Sequence, residues 1–175
     1  LLYWLGACRL AFDPVQARGY LESAYERFKS QGNDRAGLML AWCRIIDSFV
    51  YEWNDFHPVD RWIAEIERQL AEAPGFPSLE IAAQIACGMF MALMYRQPQN
   101  PKISLWAERV QAAVLRHPDA RVRMVLGNQL LLYHTAWIGD LGQARLLLDA
   151  VHPPENLADT SPLAFIAWCA MEAGY

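Results

Sequence analysis

A chain of 175 residues, 54% apolar and 12% aromatic with a mean hydropathy of +0.04, carries enough apolar side chain to fill a core, and a chain of this length buries roughly 70% of its unfolded surface. The net charge of −4 and the presence of only two lysines, Lys29 and Lys102, argue against a nucleic-acid surface, because phosphate binding needs clustered Lys and Arg. Direct contact with nucleic acid is not expected.

No stretch alternates like a strand, and helix breakers fall between long helical patterns. The first helix covers residues 1–12 and stops at Asp13-Pro14. Asp13 serves as N-cap, with Pro14 at the first helical position, and opens a second helix to residue 30, closed by Gly32-Asn33-Asp34. A third helix, 34–53, leads to Asn54-Asp55, and a fourth covers 58–73 before Pro74-Gly75-Phe76-Pro77. The fifth, 78–96, contains the longest charge-poor run, 81–95. That run is shorter than the roughly 20 residues of a membrane span, so a buried helix is expected and no membrane contact. The sixth, 103–116, ends at His117-Pro118-Asp119, and the seventh, 120–138, turns at Gly139-Asp140. The eighth covers 141–151, and a ninth starts near Ser161-Pro162.

The turns share a register. Asp13 is followed by Ala17 and Leu21 at plus four and plus eight, Asp55 by Val59 and Ile63, and Asp140 by Ala144 and Leu148. From 13 to 55 is one period of 42 residues, and from 55 to 140 is about two more. The missing member falls at Pro98-Gln99-Asn100-Pro101, where Ser104 replaces the small apolar residue. Such a period predicts stacked helical hairpins. The cap satisfies free amides, the small residue one turn later lets two helices approach, and the larger one fills the groove. An irregular helical bundle is the alternative. The expected fold is all-α, about four antiparallel hairpins plus one extra helix forming a single domain over 1–175.

At Asp13-Pro14-Val15-Gln16-Ala17-Arg18-Gly19-Tyr20-Leu21-Glu22-Ser23-Ala24 the second helix resembles a tetratricopeptide repeat, and Gly139-Asp140-Leu141-Gly142-Gln143-Ala144-Arg145 has the same character. The period exceeds the usual 34 residues, and the longer hairpin is similar to the superhelical region of MalT-like, LuxR-type large bacterial transcriptional regulators. Tyr51-Glu52-Trp53-Asn54-Asp55-Phe56, with Asp60-Arg61-Trp62, has the look of such sensor regions. The resemblance implies a right-handed solenoid that senses an effector or couples a binding event, with nucleotide-binding and DNA-reading modules elsewhere. Its partners would be other domains of the same cytoplasmic regulator, a partner protein or peptide, or a small-molecule effector. A general protein-docking adaptor is the second reading.

No phosphate-binding glycine loop, zinc-protease motif or nucleophile elbow occurs. No catalytic residue, cofactor or metal is therefore expected. Cys8, Cys43, Cys87 and Cys169 lie far apart in apolar helical stretches and read as small buried hydrophobes of a reducing compartment. His57, His117 and His152 each precede a proline and suit exposed turn positions, whereas His134 reads as a hydrogen-bonded packing residue. Glu65 and Glu67 read as solvated charges, and the seven tryptophans as inter-helix packing. One polar stripe stands out on the third helix: Arg44, Asp47, Ser48 and Tyr51, with Glu52 beside it. Arg44, Asp47 and Tyr51 are candidates for a binding groove, joined by Asn128, Gln129 and His134 of the seventh helix. The plainer alternative is an Arg44–Asp47 or Arg44–Ser48 contact on a solvated face. The start at 1–4 reads as the middle of a helix, without an initiator Met or basic leader, and 170–175 shows no stop signal, so a piece of a longer protein is expected. The apolar segments 1–4 and 163–169 predict self-association through exposed solenoid ends.

Overall fold

The computed structural model describes residues 1–151, which form eight α-helices and one π-helical turn, with no strand among them. The chain divides into two compact units, Leu1–Asn100 and Pro101–Tyr175. The expected ninth helix, His152, Cys169, Trp168 and the apolar stretch 163–169 lie outside the described residues.

The first unit contains α1 (Leu2–Arg9), α2 (Pro14–Gln31), α3 (Arg35–Glu52), α4 (Val59–Glu72) and α5 (Leu79–Arg96). Helix α2 packs on α1 and α3, and α5 packs on α3 and α4. The first helix is shorter than expected. It ends at Arg9, whose carbonyl accepts from Phe12 and Asp13 N–H, and Phe12 is exposed. The Asp13 carboxylate accepts from Gln16 N–H at 2.9 Å, as its capping role requires. One and two turns on, Ala17 and Leu21 are fully buried against α1. The helices meet there through Gly6: a Cβ on it would lie 2.5 Å from Leu21 Cγ and 3.0 Å from the Ala17 carbonyl oxygen.

The register recurs unevenly. Val59 and Ile63 are buried, but Asp55 does not cap α4, whose N-cap is Pro58 without a side-chain hydrogen bond. Asp55 instead accepts from the His57 backbone N–H at 2.9 Å and faces the His57 Nδ1 at 2.7 Å. Three intervening residues place it too early to reach the first free amides of α4.

Trp42 is the centre of this unit. Its fully buried six-membered ring lies against Gly88 of α5, where an added Cβ would come within 2.7 Å of Cζ3. Its indole N–H donates to the Trp62 carbonyl in α4 at 2.8 Å. One side chain therefore ties three helices together. By length and composition α5 could cross a membrane, but 67% of that stretch is buried inside the protein, as a core helix should be.

The second unit contains α6 (Ile103–Arg116), α7 (Ala120–Leu132), the π-helical turn Tyr133–Ile138 and α8 (Leu141–Ala150). The seventh helix was expected to be a single α-helix to residue 138; its last six residues are π-helical instead. Gly139 and Asp140 N–H both donate to the His134 carbonyl. A period of 3.6 and the wider π spacing cannot be told apart over six residues. Asp140 caps α8 through the Gln143 N–H at 3.0 Å, Ala144 is fully buried and Leu148 is buried. Ser104 is exposed, and α6 buries Ile103, Trp106, Val110 and Val114 instead. Gly127 permits Val151 to close on α7, since a Cβ there would lie 2.6 Å from Val151 Cγ2. Gly127→Ala is expected to destabilise the second unit by about 1–3 kcal/mol through overpacking, despite alanine's better helix propensity. Urea unfolding of the variant checks this; unchanged stability would show that Val151 moves aside freely.

Glycine supplies the left-handed residue that closes two of these elements, Gly32 (φ 68°) after α2 and Gly139 (φ 73°) after the π-turn. After α3 the same position holds Trp53, with φ 48°. For an L-residue this conformation costs about 1–2 kcal/mol.

Candidate functional site

Of the six candidate residues, Arg44, Asp47 and Tyr51 belong to the first unit and Asn128, Gln129 and His134 to the second, and each group stands by itself. Arg44 Nη1 donates to Asp47 Oδ2 at 2.8 Å, the contact weighed as the plainer alternative. Burial works against the Arg44 charge, but Asp47 and the neighbouring Tyr3 hydroxyl outweigh it and strengthen the cation. Burial pushes the Asp47 carboxyl up, against the pull of Arg44. Tyr51 is 49% exposed and has no hydrogen bond to this pair.

The polar stripe does not survive as one surface. Ser48 is fully buried, donating to the Ile45 carbonyl at 2.6 Å and accepting from Arg18 Nε at 2.9 Å. Arg18 also pairs with Glu52 and lies 3.7 Å from the Phe49 ring centroid. Ser48 and Glu52 thus face α2, and the residue that organises them, Arg18, was not singled out from the sequence. No local signal marks it, because its partners lie 30 and 34 residues away.

Cys43 and Cys87 are buried free thiols beside Asp47. Burial, with the Asp47 charge adding to it, pushes the Cys43 thiol well up and the Cys87 thiol to about 12. Both stay protonated at neutral pH, the opposite of what a nucleophilic thiolate needs. Cys8, expected inside, is exposed.

In the second unit Asn128 is buried, and the side-chain atoms Gln129 Oε1 and His134 Nδ1 are buried without a hydrogen-bond partner. His134 is therefore not the hydrogen-bonded packing residue expected. Desolvation lowers its pKa, so the ring is neutral at physiological pH. His117 departs from its expected exposed position too: it is buried, and its Nδ1 accepts from Asp119 N–H at 3.1 Å. His57 is exposed in its turn, as expected.

An open groove of about 550 Å³ runs between α2 and α4, with Glu22, Glu26, Lys29, Arg61, Trp62 and Glu65 on its walls. Glu65, expected to be a solvated charge, is its hub. The carboxylate accepts from Tyr25 Oη at 2.7 Å and Arg68 Nη2 at 2.7 Å, and Lys29 Nζ lies 3.0 Å away. Burial opposes its ionisation, but the hydrogen bonds from Arg68, Tyr25, Lys29 and Gln69 overcome this and hold the carboxyl at about 2. Arg61 spans the groove to Glu22 and lies 5.0 Å from the Trp62 ring. Trp62 is buried, its indole N–H finds no acceptor, and its ring meets Tyr25 edge-on at 5.2 Å. Nothing in the sequence pattern marks this groove, since Tyr25 and Glu65, which meet across it, lie 40 residues apart on separate helices.

The tryptophans divide. Trp42, Trp62 and Trp106 are buried as expected, whereas Trp4, Trp53 and Trp137 are exposed. Among the described residues no group of His, Cys, Asp and Glu is arranged to hold a metal ion. No family model matches the chain, and comparisons with curated proteins and with solved structures find no match.

Proposed function

We propose that this chain is a binding and coupling domain built as a TPR-like right-handed solenoid, acting as an effector sensor in a large bacterial transcriptional regulator of the MalT-like, LuxR type. The observation that carries the binding role is the groove between α2 and α4. It presents carboxylates (Glu22, Glu26, Glu65) and cations (Lys29, Arg61) around the Trp62 and Tyr25 rings, an arrangement suited to a small molecule bearing both charge signs. The two walls come from successive hairpins and are joined across the opening by the Arg61–Glu22 and Tyr25–Glu65 contacts. A ligand that competes for those contacts would change the angle between hairpins, and in a stack where each repeat meets its neighbours that change propagates. The repeat reading is supported by the Asp-capped openings of α2 and α8, each with a fully buried alanine at plus four and a buried leucine at plus eight.

A thermal-shift screen of the purified chain against amino acids, sugars, nucleotides and short charged peptides tests this reading. A ligand at a hundredfold excess over its Kd adds about 2.7 kcal/mol of stability. We expect a shift with a zwitterionic metabolite that disappears in Arg61→Ala and Lys29→Ala and persists in Arg44→Ala. A shift with peptides alone would favour the adaptor reading, and a shift unaffected by Arg61→Ala would remove the groove from it.

A further inference from the structure

Trp53 occupies a position where this chain elsewhere uses glycine. It is the one non-glycine residue with positive φ among the described residues. Glycine would adopt this conformation without strain, so the stability of the helix end does not account for an indole there. Burial does not account for it either, because the residue is 60% exposed. A strained backbone holding a large exposed aromatic is the combination found where a side chain is kept for recognition.

The ring is fixed in place by its neighbours. It meets Phe56 edge-on at 5.9 Å between centroids and Tyr95 edge-on at 5.1 Å, while Phe56 and Tyr95 stack on one another at 5.3 Å. These three rings touch one another, so they leave no space between them into which a small free cation could insert. In the same turn Asp55 is exposed, and hydrogen bonds from the His57 backbone and ring hold its carboxyl below the usual range. Tyr51, half-exposed, precedes the turn on the last part of α3.

We propose that this surface docks an arginine side chain presented by an extended peptide segment of a partner protein, the guanidinium lying on the Trp53 indole and donating to Asp55 Oδ2, since Oδ1 already accepts from His57. A planar, weakly hydrated cation can stack on a π face while its edge donates to a carboxylate oxygen, where a lysine ammonium gains from only one geometry at a time. An open surface of this kind holds such a group only when neighbouring peptide residues add contacts. The chain's net charge of −4 steers a basic segment toward it. This docking point is separate from the α2/α4 groove and stands or falls independently of it.

The test is fluorescence anisotropy of the full 175-residue chain with a fluorescein-labelled octapeptide of alternating arginine and glycine, compared with lysine and glutamate versions. The arginine peptide should bind several-fold more tightly than the lysine peptide, and the glutamate peptide should not bind. Trp53→Gly should weaken arginine-peptide binding by about tenfold or more while its melting temperature holds or rises, and Asp55→Asn should weaken it several-fold. Trp53→Phe, which keeps the strained backbone and a smaller π face, should fall between wild type and Trp53→Gly. Equal binding by Trp53→Gly, or equal affinity for the arginine and lysine peptides, would overturn the proposal. So would a fall of several degrees in the melting temperature of Trp53→Gly, which would assign the indole a structural role.

Discussion

Trp42→Ala is expected to destabilise the first unit by about 4 kcal/mol, most of the stability a unit of this size possesses. Three losses combine. The variant removes a fully buried indole and leaves a cavity facing Gly88, where α5 has no side chain to collapse into the space. It also removes the hydrogen bond to the Trp62 carbonyl that ties α3 to α4. Urea unfolding followed by far-UV circular dichroism measures the effect, with Trp4→Ala as the comparison. Trp4 is exposed on α1, so its removal should change stability by less than about 0.5 kcal/mol. Similar losses in the two variants would refute the view that Trp42 organises the packing of α3, α4 and α5.

Glu65→Gln is expected to cost about 2 kcal/mol at neutral pH, a value reduced from the full pKa shift because Lys29 and Arg68 are partly exposed. The glutamine keeps the size and one acceptor but loses the charge that draws Arg68 and Lys29 to the same oxygen. Because the folded carboxyl titrates at about 2, below its ordinary 4.5, its contribution is present above pH 4.5 and is lost as pH falls toward 2. The stability difference between wild type and Glu65→Gln should therefore shrink steadily over that window. Asp47 has the opposite sign. Its carboxyl is raised by burial, so its extra stability is present below the ordinary carboxylate value of 3.8 and is lost as pH rises through the folded value. Asp47→Asn should therefore be better tolerated at neutral pH than Glu65→Gln, although both residues are ion-paired. A larger loss from Asp47→Asn than from Glu65→Gln at pH 7 would reverse this assignment.

The candidate residues show how far a linear pattern reaches. Arg44 and Asp47 lie three residues apart on one helix, and their contact follows from helix geometry alone. Ser48 sits one position further, yet it turns toward α2 and meets Arg18. Nothing within α3 distinguishes those outcomes, because they depend on which face α2 covers. The same holds for Glu65, which looks like one of two solvated charges until Tyr25 and Lys29 arrive from α2.

What the residues determine by themselves is local. Asp13 and Asp140 place their carboxylates on backbone N–H groups three residues ahead, and Gly32 and Gly139 adopt the left-handed conformation that ends an element. These features need only the geometry of one turn, so the all-helical character and most helix boundaries can be read in one dimension. Tertiary structure decided the rest: the burial of His117, the π-helical end of the seventh helix, the exposed left-handed Trp53 and the groove centred on Glu65. Each depends on the rotation of a helix about its axis and its offset along a neighbour. Those are fixed by the packing of side chains from separate helices, as where Gly88 admits the ring of Trp42.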